Sequence, residues 1–241
     1  MIDNLIFRSS SVGGLCGKAG LGATGEKLAI KTYLQKRYGR YKEFTSKYTE
    51  KGIACEGSAI NAYNSLFDTN YVKNDTRIYN EFITGECDID TGDSIIDIKN
   101  SWDLFTFHDS KTSDNKMYEW QGQCYMELYD RPMFKLIYVL EDAPDLNIFK
   151  EINYAGEIDE WEEVQIIANM VYTKESFFRL IDTQGLGGDS KTDKLINNFI
   201  EIPYFERIHA KQFARDSAKY EFIKSRIIEA RNFLKSIYNG N

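Results

Sequence analysis

A short acidic hairpin constrains this chain more than any other feature. Gly85-Glu-Cys-Asp88 leads through Ile89 and the turn-prone Asp90-Thr-Gly-Asp93 into the isoleucine-rich run Ser94-Ile-Ile-Asp-Ile-Lys99. The second run reads as a β-strand. Side chains alternate faces along a strand, so Asp97 and Lys99 share one face while Ile96 and Ile98 point to the other. With Thr91-Gly92 as a two-residue loop, Asp88 lies opposite Ile95, on the face of Asp97 and diagonal to it. A loop of odd length would put Asp88 on the wrong face, so the pattern carries its own register requirement. Glu86 and Asp90 have the parity of Asp88 and stand as substitute ligands. Two carboxylates and a lysine arranged this way form a site for a divalent ion. The plain alternative is the solvated polar face of an amphipathic hairpin.

Two helical segments argue against that alternative. Lys51 to Phe67 has helical periodicity, with Ile53, Ile60, Tyr63 and Phe67 on one stripe and Glu56 among them. A carboxylate on a core-facing stripe is costly unless it is paired or bound to metal. Met117 to Leu128 repeats the anomaly. Met117, Trp120, Cys124 and Leu128 make its stripe, Gln121 interrupts it, and Tyr125 follows one turn later on the same side. A satisfied buried Glu and a backbone-bonded Gln would each be unremarkable alone; together, around the hairpin, they favour a site.

The series Glu56, Gly85-x-x-Asp88, Asp97-x-Lys99 and Gln121-x-x-x-Tyr125 resembles the PD-(D/E)XK nuclease superfamily. Within it, the order and intervals resemble the branch of phage lambda exonuclease, the YqaJ viral recombinases and the RecB-type nucleases. The Gln-x-x-x-Tyr element narrows the match, and the resemblance spans Ser9 to about Asp142. It implies Asp88, Asp97 and the backbone carbonyl of Ile98 as ligands of Mg²⁺, with Mn²⁺ as a substitute, and Glu56 as a ligand directly or through water. Lys99 would position or activate the attacking water; Gln121 would orient the site and Tyr125 support it, with Gln123 close enough to be the true counterpart of Gln121. The branch often has Glu where this chain has Asp97, and either supplies a hard oxygen. The resemblance further implies double-stranded DNA ends as substrate, degraded from the end, 5′→3′. It implies a role in recombination beside a single-strand annealing protein, and a homotrimer threaded by DNA. Phe7 to Gly14 resembles the family's opening motif, with Arg8 and Ser10 as candidates for gripping a 5′-phosphate, although the Arg-to-Ser spacing is shorter here and a polar Gly/Ser loop is the alternative.

The rest of the sequence sets bounds. A chain of 241 residues is read as one nuclease domain over 1–241, with its core about 9–142 and a helical addition about 155–241. The expected class is α/β (α+β mixed): a restriction-endonuclease-like central mixed β-sheet flanked by helices, with Phe134 to Glu141 as a further strand. From Phe205 to Tyr238 the chain reads as one long helix, with Phe213, Tyr220, Ile223, Ile227, Ala230, Leu234 and Ile237 near heptad spacing, to dock on the domain or to make an oligomer seam. A net charge of −7 argues against a generally basic DNA-binding surface. Local clusters such as Lys27, Lys31, Lys36, Arg37, Arg40 and Lys42 would then hold DNA, if they are not a solvated helix face. The glycine-rich stretch from Gly17 to Gly25 lacks the Lys-Ser/Thr ending of a phosphate-binding loop and reads as a connection. No cysteine follows Cys124, so the iron–sulfur cluster of some RecB-type relatives is not expected, and the cysteines read as reduced, buried hydrophobes. No membrane span or signal peptide is legible, so a cytoplasmic location is expected.

Overall fold

A computed structural model describes residues 1–17, 19–41 and 46–238, so Lys18 in the glycine-rich stretch and Lys42 of the basic cluster lie outside the described residues. The strands are β1 (Phe7–Arg8), β2 (Ile78–Tyr79), β3 (Ile83–Gly85), β4 (Ile89–Asp90), β5 (Ser94–Asn100), β6 (Met133–Val139) and β7 (Ile208–Ala214). The helices are α1 (Gly22–Tyr38), α2 (Lys47–Phe67), α3 (Leu104–Thr112), α4 (Lys116–Tyr129), α5 (Asp145–Ala155), α6 (Glu160–Met170), α7 (Lys174–Gln184), α8 (Ser190–Asn197) and α9 (Ser217–Tyr238).

The expected mixed sheet is present, four-stranded in the order β4-β5-β6-β7. β5 runs parallel to β6 and antiparallel to β4, and β6 runs antiparallel to β7. A sheet covered on both faces suits the isoleucine content of β5. Ile96 and Ile98 pack with Ala59, Ile60 and Tyr63 of α2. Ile95, on the other face, joins Tyr125, Met126, Phe134 and Leu136 in the layer under α4. A second sheet, three-stranded in the order β1-β3-β2, was not legible in the sequence because its strands are so short. The chain passes from this sheet to the first through Glu86-Cys87-Asp88.

The stripe expected on α2 is rotated. Ile53 is 69 % exposed and Phe67 50 %, and the face turned inward carries Lys51, Cys55, Ala59, Ile60 and Tyr63. Small Cys55 and Ala59 let the helix approach the sheet closely. Met117 of α4 is likewise exposed, whereas Cys124 is fully buried. The C-terminal segment departs from the single helix expected. Ile208–Ala214 is strand β7, which pairs along the whole of β6 and satisfies backbone groups that an open edge would leave unpaired. Phe213 therefore belongs to β7, its ring centroid 6.1 Å from that of Phe134. The helix begins only at Ser217, and its heptad residues Tyr220, Ile223, Ile227, Ala230 and Leu234 dock on the N-terminal core with Phe7, Leu15, Ala29 and Tyr33, while Ile237 stays exposed. Helices α5 to α8 and the residues around them bury a cluster of their own around Ile148, Val164, Ile167 and Phe177. No helix among the described residues is long and apolar enough to cross a membrane.

Candidate active site

The hairpin satisfies its parity requirement by a register other than the one expected. Ile89 pairs with Ile96 and Asp90 with Ile95, so Asp88 stands opposite Asp97 rather than Ile95. The turn is centred on Gly92 and Asp93, closed by the Thr91 amide donating to the Ser94 carbonyl (3.0 Å) and the Ser94 amide donating to the Thr91 hydroxyl (2.9 Å). Gly92 holds φ of +87°, which favours glycine. The turn moved one residue along but kept an even count, so the face is preserved and the carboxylates are brought closer than diagonal neighbours. β4 begins at Ile89, so past it the Ile98 amide donates to Asp88 Oδ2 instead (2.6 Å). In an extended strand the N–H and C=O of one residue point to the same edge, so the Ile98 carbonyl also faces the Asp88 side.

Helix α4 delivers the other expected groups. It is capped by Asn115, whose side chain accepts from the Met117 amide, and ends at Asp130 in the left-handed region. The Gln121 side-chain amide donates to Asp97 Oδ1 and to the Tyr125 hydroxyl, each at 3.1 Å. Gln123 is turned elsewhere, donating to the Ala214 carbonyl and accepting from the Asp216 amide, where it joins β7 to α9. Of the two glutamines, Gln121 lies beside Asp97. The glycine of Gly85-x-x-Asp88 has a steric reason: a Cβ there would stand 2.6 Å from Tyr125 Cε1 and 2.7 Å from Ser9 Oγ. β1 pairs Arg8 with Thr84, so the N-terminal turn lies beside that glycine, with Ser9 buried and Arg8 and Ser10 exposed.

Glu56 comes from the helix on the opposite face of the sheet. Its carboxylate is ion-paired with Lys73 at 2.6 Å rather than joined to the aspartates. Lys73 escaped the sequence reading, as did Asn74 and Tyr129. The Asn74 side chain donates to the Cys87 carbonyl (3.0 Å) and its amide to the Asp88 carbonyl (2.7 Å), and Tyr129 OH lies 3.1 Å from Asn74 Nδ2. These anchor the bridge between the sheets. They sit in or against an irregular segment with no periodicity to read, and no signal in the sequence pointed to them. Cys55, Cys87 and Cys124 are buried free thiols. Lys27, Lys31, Lys36 and Arg37 are exposed on α1, and Arg40 is exposed just past its end.

No protein-family model matches this sequence, and no curated protein matches it. Solved structures do. A phage-related exonuclease from Haemophilus somnus 129PT is 25 % identical with a TM-score of 0.71, over 98 % of this chain and 96 % of that one. The chain has the fold of the phage-type exonucleases. The alkaline exonuclease LHK-Exo of Laribacter hongkongensis shares that fold at 13 % identity, with a TM-score of 0.59 over 97 % of this chain and 90 % of that one. LHK-Exo in complex with dAMP matches at 14 % identity and a TM-score of 0.56, over 99 % and 90 % of the two chains. The resemblance to the lambda exonuclease branch read from the motifs is thus borne out in the fold.

Within this fold Asp88, Asp97 and Lys99 form one electrostatic cluster. Asp97 is only 1 % exposed, and its Oδ2 is paired with Lys99 Nζ at 2.6 Å. Burial and then the Asp97 charge push the Asp88 carboxyl up to about 7. Burial pulls the Lys99 ammonium down, but Asp97 and Asp88 outweigh it and hold it above the usual lysine range. Burial, followed by Asp97, raises Tyr125, which keeps its proton. Among the described residues no three His, Cys, Asp or Glu side chains gather closely enough to hold one ion. A pair of carboxylates and a carbonyl still suits Mg²⁺, which is usually held by one or two carboxylates and keeps several waters. The donors are hard oxygens, and the Asp88 and Asp97 carboxylates stand opposite each other on adjacent strands, so the residues fit such an ion.

The raised Asp88 carboxyl predicts how metal-free stability depends on pH. The folded protein holds this proton up to about pH 7, whereas the ordinary value is 3.8, so over that window the folded state binds more protons and loses stability as pH rises. In EDTA, the difference in unfolding free energy between wild type and Asp88→Asn is expected to grow by about 2–4 kcal/mol from pH 4.5 to 7.5. Parallel curves for the two proteins in denaturant titrations would show that Asp88 is not held in this way.

Proposed function

We propose that this protein is a Mg²⁺-dependent deoxyribonuclease that degrades linear duplex DNA from its ends in the 5′→3′ direction. The observation that carries the reading is the Asp88–Asp97 carboxylate pair with Lys99 ion-paired to Asp97 Oδ2, set in a phage-exonuclease fold. Asp88, Asp97 and the Ile98 carbonyl would hold the ion, with Glu56 as a further ligand through water once it leaves Lys73. Mn²⁺ would substitute. A divalent cation there supplies Lewis acidity to the scissile phosphate. Lys99 then holds the attacking water and offsets charge developing on the phosphate. Gln121 fixes Asp97 through Oδ1, leaving Oδ2 for the ion, and Tyr125 fixes Gln121.

Arg8 and Ser10, exposed beside Gly85, are proposed to grip the 5′-phosphate of the DNA end. LHK-Exo has been solved with dAMP, and a nucleoside monophosphate is the unit we propose is released here. Residues 1–241 as one nuclease domain, a homotrimer, an annealing-protein partner in recombination and a cytoplasmic location complete the proposal. The family resemblance supports the homotrimer and the annealing-protein partner.

Linear and covalently closed circular duplexes, incubated with the protein in Mg²⁺, test the reading. Linear DNA is expected to disappear with release of mononucleotides while circles stay intact. Cutting of circles would replace the exonuclease with an endonuclease on the same core. Cleavage of neither would leave a DNA-binding protein that retains the fold.

A further inference from the structure

Lys99 touches a second group besides Asp97. Its ammonium lies 5.4 Å from the centre of the Tyr118 ring, within the range of an attractive cation–π contact. Tyr118 sits in the first turn of α4, one helical step before Gln121 and on the same side. The ring is itself braced: it meets Tyr138 edge-on, centroids 6.2 Å apart at 67°. Tyr138 is the strand partner of Lys99 in the β5–β6 register and stacks on His209 at 6.3 Å. Strands β6 and β7 thus brace the α4 ring that lies against the ammonium.

Such bracing matters because of what Asp97 is asked to do. A lysine side chain has about 2 kcal/mol of rotamer freedom to lose, and a catalytic group must be held within about 0.5 Å. In the structure Asp97 Oδ2 holds the ammonium at 2.6 Å. That same oxygen is the one proposed to bind the ion, and an ion there withdraws the counter-charge from Lys99 and repels it. The face of an aromatic ring is unaffected by that exchange. We propose that Tyr118 is a positioning residue, whose ring keeps the Lys99 ammonium at the reaction centre when Asp97 is taken up by the metal. This rests on the nuclease reading above.

The test compares Tyr118→Leu with Tyr118→Phe, since phenylalanine keeps the ring. Tyr118→Leu is expected to lower kcat on linear duplex about 10-fold, the size of a partly desolvated cation–π contact, with KM for DNA unchanged. Phenylalanine restores the rate that leucine loses. In a Lys99→Ala background, measured in single turnovers, leucine is expected to cause no further loss. A readout independent of activity is the NMR signal of the Lys99 ε-methylene, shifted upfield by the ring current in wild type and Tyr118→Phe and unshifted in Tyr118→Leu. Undiminished kcat in Tyr118→Leu, an equal loss without Lys99, or an unshifted Lys99 in wild type would each overturn the proposal. A wild-type protein that cuts no DNA while keeping the shifted Lys99 signal would instead bring down the nuclease reading and the positioning role together, leaving the contact.

Discussion

Asp97→Asn is expected to lower the rate of DNA cleavage by at least about 10³-fold while leaving the protein folded. Asparagine keeps the shape and can still accept the Gln121 amide that now reaches Oδ1 at 3.1 Å. It removes the charge at Oδ2, the oxygen that pairs with the Lys99 ammonium and is proposed to bind the ion. Metal assistance supplies several kcal/mol of transition-state stabilisation, and each 1.36 kcal/mol is tenfold in rate. Lys99→Ala is expected to cost about 10²–10⁴-fold, the usual range for a group that handles a proton or stabilises developing charge. The two variants separate by metal affinity. Calorimetric titration with Mn²⁺ should show weakened binding in Asp97→Asn and retained binding in Lys99→Ala, which loses only a repelling cation. Wild-type rates in both variants would remove the hairpin from catalysis.

Gly122→Ala is expected to destabilise the fold by about 2 kcal/mol, although alanine is the better helix former by about 1 kcal/mol. The reason is the ring of Phe134, fully buried on β6 beneath α4. A Cβ at Gly122 would stand 2.6 Å from Phe134 Cγ and Cε1, and closer still to Cδ1. The ring is hemmed by Tyr125 and Phe213, at centroid distances of 6.5 and 6.1 Å, so it has little room to turn away. Overpacking of this kind typically costs about 1–3 kcal/mol, occasionally more. For a chain of this size the melting temperature should fall by about 4–8 °C. Gly57→Ala is the control, since a Cβ there meets nothing within 4 Å and the same change should raise the melting temperature slightly. A rise for both variants would mean that α4 does not lie this close to β6.

What the sequence revealed of this protein followed the range of its signals. Strand alternation placed Asp97 and Lys99 on one face, and an even turn placed Asp88 with them even though the turn itself was one residue off. Gln121 was conspicuous because a polar residue broke an apolar stripe, and in the fold it meets Asp97. Glu56 was conspicuous for the same reason, but its partner Lys73 comes from a segment without periodicity. Heptad spacing read correctly from Tyr220 to Leu234 but carried too far back. Whether Ile208–Ala214 forms a strand depends on the open edge of β6, more than sixty residues earlier, which local pattern cannot report. Gly122 carried no readable message and Gly85 was legible only as part of the family motif, because the rings they accommodate, Phe134 and Tyr125, become neighbours only in the fold.

The most direct measurement is cleavage of end-labelled linear duplex by the wild-type protein in Mg²⁺, after EDTA, and after Mg²⁺ is restored. The expected result is progressive release of mononucleotides that stops on chelation and resumes on add-back, and that is absent in Asp97→Asn throughout. Cleavage indifferent to EDTA, or equal in Asp97→Asn, would contradict a reaction centred on Asp88, Asp97 and Lys99.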